Sequence, residues 1–399
     1  MQLGKLTNFN KYNFYRYAAF FILILFSALQ FILILRHKSV YLSDSYFYKH
    51  IFYQIKGDSY IQAKEKIISQ VDLDRADKIT RKIFTEEDSY RYSYSFFTKR
   101  PLYPFIASII DAVIWSEYLA LMIPVFLAYI GSIVLSFRFL KIDMPYFFAI
   151  FALSLIISFY PFLDWSTYLL TDTIGYFFWL LLLLYIYKFI NEGKSKYLIL
   201  YTIFLIISLL NREQSILMLL LLCFLYLFIV IFKQSEYMKK RLAKLIKSTL
   251  VVVLAYIGIS IILNQRTIIE SINYIQNNYS FFSNTYSLTE TSEYLIKTVI
   301  FTHQAFIADL ASQHWWFMFF TLGSAGMLKT ILFSKRKQFS SLLIFSSGLA
   351  SYSFVFIYPV LSYRFFYPVV LMFVYFASKF MFEFFEERQK LLKSHESIK

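Results

Sequence analysis

Long apolar runs alternate with short polar segments along most of this chain. A bilayer crossing needs about 20 apolar residues, and on that measure the pattern predicts ten spans. They fall near Tyr17–Leu35, Tyr118–Phe137, Pro145–Pro161, Tyr168–Tyr187, Tyr197–Leu210, Ser215–Phe232, Ser248–Leu263, Trp316–Phe333, Leu342–Val360 and Phe365–Phe382. Residues 36–117 and 264–315 are too polar to cross and predict two large loops, the first of them helical, and 383–399 reads as a polar tail. The expected fold class is an all-α polytopic membrane protein with about 10 transmembrane helices, forming a single membrane domain over residues 1–399.

The apolar segment from Pro101 to Trp115 breaks the rhythm, because only Ser116 and Glu117 separate it from the next span. Two residues cannot return a helix through the bilayer. The segment is therefore expected to be a surface or re-entrant helix that leads into the second span.

Composition fits this class: 58% of residues are hydrophobic and 16% charged, with a mean hydropathy of +0.55. That apolar surface exceeds what one soluble core buries. The aromatic residues, 47 Phe and 34 Tyr among them, suit lipid-facing helices and interfacial belts. A formal charge of +15 then reports orientation and lipid phosphate rather than nucleic acid. Cys223 is the single cysteine, so disulfide frameworks and cysteine metal sites are excluded.

The first span follows Lys5, Lys11 and Arg16 without a small-residue cleavage site, which predicts a retained signal anchor with a cytoplasmic N-terminus. Counting onward, Arg138 and Lys141, then Lys188, Lys194 and Lys196, fall on the cytoplasmic side. So do the cluster Lys233, Lys239, Lys240, Arg241, Lys244 and Lys247, the trio Lys335, Arg336 and Lys337, and the tail. The positive-inside rule is obeyed throughout. Both long loops are then extracytoplasmic, and the expected setting is the plasma (inner) membrane with both termini inside.

This topology collects Asp44, Arg100, Asp164, Asp172, Arg212, Glu213, His303, His314 and Arg364 at the outer ends of spans. Ionisable groups at membrane depth are costly and usually line a site. Tyr197–Leu210 offers fourteen residues, about 21 Å of helix against roughly 30 Å of hydrocarbon. Asn211 to Gln214 is therefore expected to dip below the surface, either facing a wet pocket or as a snorkelling Arg212 paired with Glu213. Asp172 suits a helix N-terminus as a cap as well as it suits a ligand contact. Trp315 and Trp316 are expected as interface anchors, and Asp72-Leu73-Asp74 as part of a solvated helical face within Gln62 to Lys82. His303 and His314 lack metal spacing and read as polar loop residues. Nine glycines argue against extensive small-residue helix packing.

Several segments together resemble the GT-C membrane glycosyltransferases: Asp44-Ser45-Tyr46 after the first span, Lys99-Arg100-Pro101-Leu102-Tyr103-Pro104 closing the first loop, and Thr171-Asp172-Thr173 at a span start. The outer turns Leu210-Asn211-Arg212-Glu213 and Tyr363-Arg364-Phe365-Phe366-Tyr367-Pro368 complete the resemblance. It implies a polyprenyl-phosphate sugar donor and an acceptor that approaches from the outer aqueous side. Ser43-Asp44-Ser45 lacks a second adjacent acid, so no cofactor is expected and a divalent metal is not favoured.

The residue types suit that reaction independently. Sugar transfer to a hydroxyl needs a base for its proton, and Asp44 is the candidate. A base opposite the leaving phosphate gives single displacement with inversion. Arg212 and Arg364, with Arg100 third, match phosphate oxygens with a permanently charged fork. Asp172, Asp164, Tyr46 and Glu213 are candidates for positioning substrate. Expected partners are the donor, membrane lipids and a glycan, lipid or protein acceptor. A carrier or flippase of lipid-linked sugars, an envelope polysaccharide polymerase or ligase, and a non-enzymatic scaffold remain alternative readings.

Overall fold

The computed structural model describes residues 3–277, 286–333, 338–357 and 362–396. Among these residues the regular structure is all helical. Helix α1 (Leu3–Leu35) is followed by four helices of the first loop: α2 (Ser43–Ile55), α3 (Tyr60–Ile68), α4 (Lys78–Thr85) and α5 (Glu87–Ser95). Next come α6 (Leu102–Ile114), α7 (Glu117–Asp143), α8 (Tyr146–Ser158), α9 (Tyr160–Ser166), α10 (Asp172–Glu192), α11 (Ser195–Asn211), α12 (Leu217–Ile231) and α13 (Glu236–Ile262). The second loop holds α14 (Ile268–Gln276) and α15 (Leu288–Ser312), and α16 (His314–Leu328), α17 (Phe339–Tyr352), α18 (Phe354–Ile357) and α19 (Tyr367–Glu396) complete the chain.

Among the described residues eight helical stretches are long and apolar enough to cross a membrane, or nine if α8 and α9, bent by 61°, form one broken span. The expected span Tyr197–Leu210 is α11, a shorter apolar helix of 17 residues. At 1.5 Å per residue it reaches about 26 Å, still short of the hydrocarbon thickness. Val360, Lys335, Arg336 and Lys337 lie outside the described residues. The basic cluster from Lys239 to Lys247 forms the first turns of α13 rather than a loop. Arg241 uses that position to donate to the carbonyl oxygens of Ile190 (2.6 Å) and Asn191 (3.1 Å) at the α10 C-terminus, where a cation complements the helix dipole.

Capping explains the loop helices. Ser59 with Gln62, Thr267 with Glu270 and Ser287 with Glu290 form capping boxes, and the Asp77 side chain accepts from the Thr80 amide. These bonds satisfy amides that short helices otherwise leave open. The run Gln62 to Lys82 is not one helix: Asp72-Leu73-Asp74 sits in the turn between α3 and α4, where an Asp72 carboxylate oxygen accepts from the Arg75 amide.

Helix α6 behaves as its two-residue linker demands. Trp115 takes a left-handed conformation (φ 59°) that ends α6 and lets α7 start at Glu117. One face of α6 buries Tyr103, Ala107 and Asp111, while Phe105, Ile109 and Val113 are exposed, the arrangement expected of an interfacial helix. Lys56, the C-cap of α2, bonds Asp111 (2.5 Å), and Lys49 and Tyr53 bond Glu117, so α2 is fastened to both helices.

Glycine matters more than its scarcity implies. A Cβ at Gly323 of α16 would stand 2.7 Å from the Phe373 carbonyl oxygen, and one at Gly326 would collide with that of Phe376, both on α19. Only glycine permits that backbone approach, so few glycines suffice when each lies on the contact line. Trp316 also departs from expectation: it is buried against Phe159 and Phe319, while Trp315 is exposed.

Candidate functional site

Five chain segments meet at one end of the bundle. Asp44 lies in the first turn of α2, where the helix dipole favours an anion. Asp172 is the first residue of α10, and Arg212 follows α11 in extended conformation before a 3-10 turn over Glu213–Ile216. Arg364 is the middle residue of a second 3-10 turn, Tyr363–Phe365, just ahead of α19. Lys99 and Arg100 end the first loop.

The centre of the cluster is one carboxylate between two guanidinium groups. The Arg212 Nη1 donates to Asp172 Oδ1, and Arg364 Nε lies 3.8 Å from that same oxygen. Asp172 is nearly sealed from solvent, with a side chain 4% exposed. Arg364 Nη1 also donates to Asp44 Oδ2 at 3.3 Å, and that carboxylate is 35% exposed. Both guanidinium groups lie 4.9 Å from the Phe365 ring centroid, and Arg364 is 5.0 Å from that of Trp165. Aromatic faces and one acid thus hold two like charges close together.

A second ionic group adjoins it. Glu213 is clamped between Lys99 and Arg100, whose Nη2 donates to it at 2.7 Å. Arg100 also donates to the Tyr48 hydroxyl at 3.2 Å, which lies 2.9 Å from Thr171 Oγ1 beside Asp172. The Asn211 amide donates to the Thr171 carbonyl oxygen at 3.1 Å. A pocket bordered by Asp172, Arg212, Arg364, Tyr176, Trp179 and Tyr367 opens next to these groups.

The structure therefore brings together Asp44, Arg100, Asp172, Arg212, Glu213 and Arg364. Arg212 does not pair with Glu213. It turns to Asp172, because the extended backbone at Arg212 points adjacent side chains in opposite directions. Thr171, the N-cap of α10, makes no side-chain cap bond, and the Asp172 carboxylate goes to the arginines. Arg100 contacts Glu213 and Tyr48 rather than Asp44. Asp164 stands outside the cluster, bonded to Lys38 at 2.7 Å and to the Tyr160 hydroxyl at 3.3 Å, though its neighbour Trp165 underlies Arg364. Tyr46 stacks on Tyr41 and meets the edge of Phe84 inside the first loop. His303 Nδ1 lies 2.7 Å from the Val299 carbonyl oxygen and its ring packs on Tyr352 and Phe356, while His314 begins α16.

Tyr48 and Trp165 complete the site without having been named in the sequence, and Lys99, Thr171 and Phe365 do so from within the quoted motifs, where they had no assigned role. Tyr48 follows Asp44 by four residues, one helical turn, so the i, i+4 spacing carried a signal. The others flank a singled-out residue and look like ordinary interfacial positions. Among the described residues no three of His, Cys, Asp and Glu are grouped as metal ligands.

Residues 98–262 match the family model described as dolichyl-phosphate-mannose-protein mannosyltransferase. That family belongs to the GT-C superfamily of membrane glycosyltransferases, in agreement with the resemblance carried by the motifs. The matched segment contains Lys99, Arg100, Asp172, Arg212 and Glu213 but stops short of Asp44 and Arg364. No curated protein matches the chain.

Proposed function

From the motif resemblance to GT-C membrane glycosyltransferases and the family match over residues 98–262, we propose that the protein moves a sugar from a polyprenyl-phosphate donor to an acceptor hydroxyl, by single displacement at the extracytoplasmic face. The observation that carries the reading is the convergence of Arg212 and Arg364 on buried Asp172, with solvent-reachable Asp44 bonded to Arg364. In the proposed reaction the acceptor oxygen attacks the anomeric carbon and passes its proton to an Asp44 carboxylate oxygen. The bond from the anomeric carbon to the phosphate oxygen breaks, and the lipid phosphate departs with the electron pair. Charge grows on that phosphate, and the two guanidinium groups answer it without reorganising.

Asp172 has a different task. It neutralises the arginines while the site is empty, which lowers the repulsion of holding them together. Arg100, locked to Glu213, orders the first loop beside the phosphate and supplies a further cation. With guanidinium groups meeting the phosphate charge, the proposed reaction runs without a divalent metal, and the fold acts as one membrane domain.

The test is release of polyprenyl phosphate from a labelled pool of polyprenyl-phosphate sugars by purified protein in liposomes, supplied with glycan and peptide acceptors. Wild type is expected to turn over, and Asp44→Asn to lose about 10²- to 10⁴-fold with folding retained. Equal turnover by both removes Asp44 from the mechanism. Transbilayer movement of donor without bond cleavage would put the carrier reading in its place.

A further inference from the structure

The turn that carries Arg364 is braced by a helix the proposed chemistry does not use. The Tyr363 hydroxyl donates to Asp309 Oδ2 on α15, and Gln313 Nε2 donates to the same oxygen at 3.3 Å. The Tyr363 ring packs against Phe159 and Phe306, at centroid distances of 5.5 and 5.8 Å, and Phe306 also meets Phe366. Burial, and after it the Asp309 carboxylate, raises the Tyr363 phenol above its ordinary pKa, so the hydroxyl keeps its proton and stays a donor.

The 3-10 turn is only three residues long and has little intrinsic stability. Its far side is fixed where the Phe365 carbonyl oxygen accepts from Ser351 Oγ at 2.9 Å. Tyr363 fixes the near side, and Arg364 lies between the two anchors. A few degrees of rotation at Tyr363 swing the long Arg364 side chain by more than a hydrogen bond tolerates.

We propose that Asp309 and Tyr363 form a positioning pair that aims the Arg364 guanidinium at the donor phosphate, linking the second loop to donor binding. This rests on the phosphate role assigned to Arg364. The pair touches no substrate and acts through the backbone of the turn.

The experiment is equilibrium binding of a radiolabelled long-chain polyprenyl phosphate to the purified full-length protein. Wild type is compared with Tyr363→Phe, Asp309→Asn, their double variant, and Arg364→Lys alone and combined with Tyr363→Phe, with Tm recorded for each. Tyr363→Phe is expected to raise Kd about five- to tenfold and Asp309→Asn somewhat less, the size of one charge-assisted hydrogen bond. The double variant should bind no worse than Tyr363→Phe, and Tyr363→Phe should add nothing in an Arg364→Lys background. Unchanged Kd in both single variants, whatever happens to Tm, overturns the positioning pair if Arg364→Lys still weakens binding. Unchanged Kd in Arg364→Lys removes the phosphate role itself, and the pair's function with it.

Discussion

Removing a carboxylate from between two guanidinium groups leaves like charges facing each other where water cannot screen them. Asp172 holds that position, and Asp44 does not. Asp172→Ala is therefore expected to cost about 3–5 kcal/mol, the penalty for an uncompensated buried charge, seen as a fall in Tm and in monodisperse yield. Adding Arg212→Met should recover part of the loss. Asp44→Ala, removing a more exposed partner, should change stability by less than about 1 kcal/mol while removing turnover. A matching loss of stability in both variants would contradict this division between a structural acid and a chemical one. The two acids look alike in sequence, each flanked by Ser or Thr near a predicted span end; their burial separates them.

At the scale of elements, α2 connects the site to the loop behind it. One face presents Asp44 and Tyr48 to the ionic cluster, and another places His50 against Tyr60, Tyr90 and Tyr94, with Nδ1 2.6 Å from the Tyr90 hydroxyl. Burial, then the nearby Lys64 charge, lowers the His50 pKa from 6.5 to about 4. Between those values the unfolded chain binds a proton that the folded protein refuses. The stability associated with neutral His50 is thus fully present above pH 6.5 and is lost as pH falls toward 4. Tm measured against pH should fall over that window in wild type and fall less steeply in His50→Phe. Equal slopes would show that His50 titrates normally in the fold.

At the scale of the whole molecule, the side the site faces decides which donor pool reaches it. The positive-inside pattern predicts α15 outside and the end of α19 inside. In a Cys223→Ser background, Glu293→Cys on α15 should react with a membrane-impermeant maleimide on intact cells. Glu386→Cys on α19 should react only after permeabilisation. Both native side chains are well exposed, 63% and 48%, so failure to label would reflect sidedness rather than burial. The reverse pattern would place the site in the cytoplasm and remove the extracytoplasmic donor from the mechanism.

The order of apolar and polar runs by itself determined the all-helical, multispanning class, because the bilayer imposes one requirement on every crossing segment. It also marked Asp44, Arg100, Asp172, Arg212, Glu213 and Arg364, since charge near a span end is conspicuous against apolar surroundings. Pairing was not legible there. Arg212 and Glu213 are neighbours in sequence, yet extended backbone sends one to α10 and the other to the first loop. Arg364 and Asp44 stand 320 residues apart and meet only because α19 returns beside α2's end of the bundle. The breaks at Asp72 to Asp74, the burial of Trp316 and the contacts at Gly323 and Gly326 likewise depended on packing. Local sequence fixes what a residue costs to bury; tertiary structure decides which partner offsets that cost.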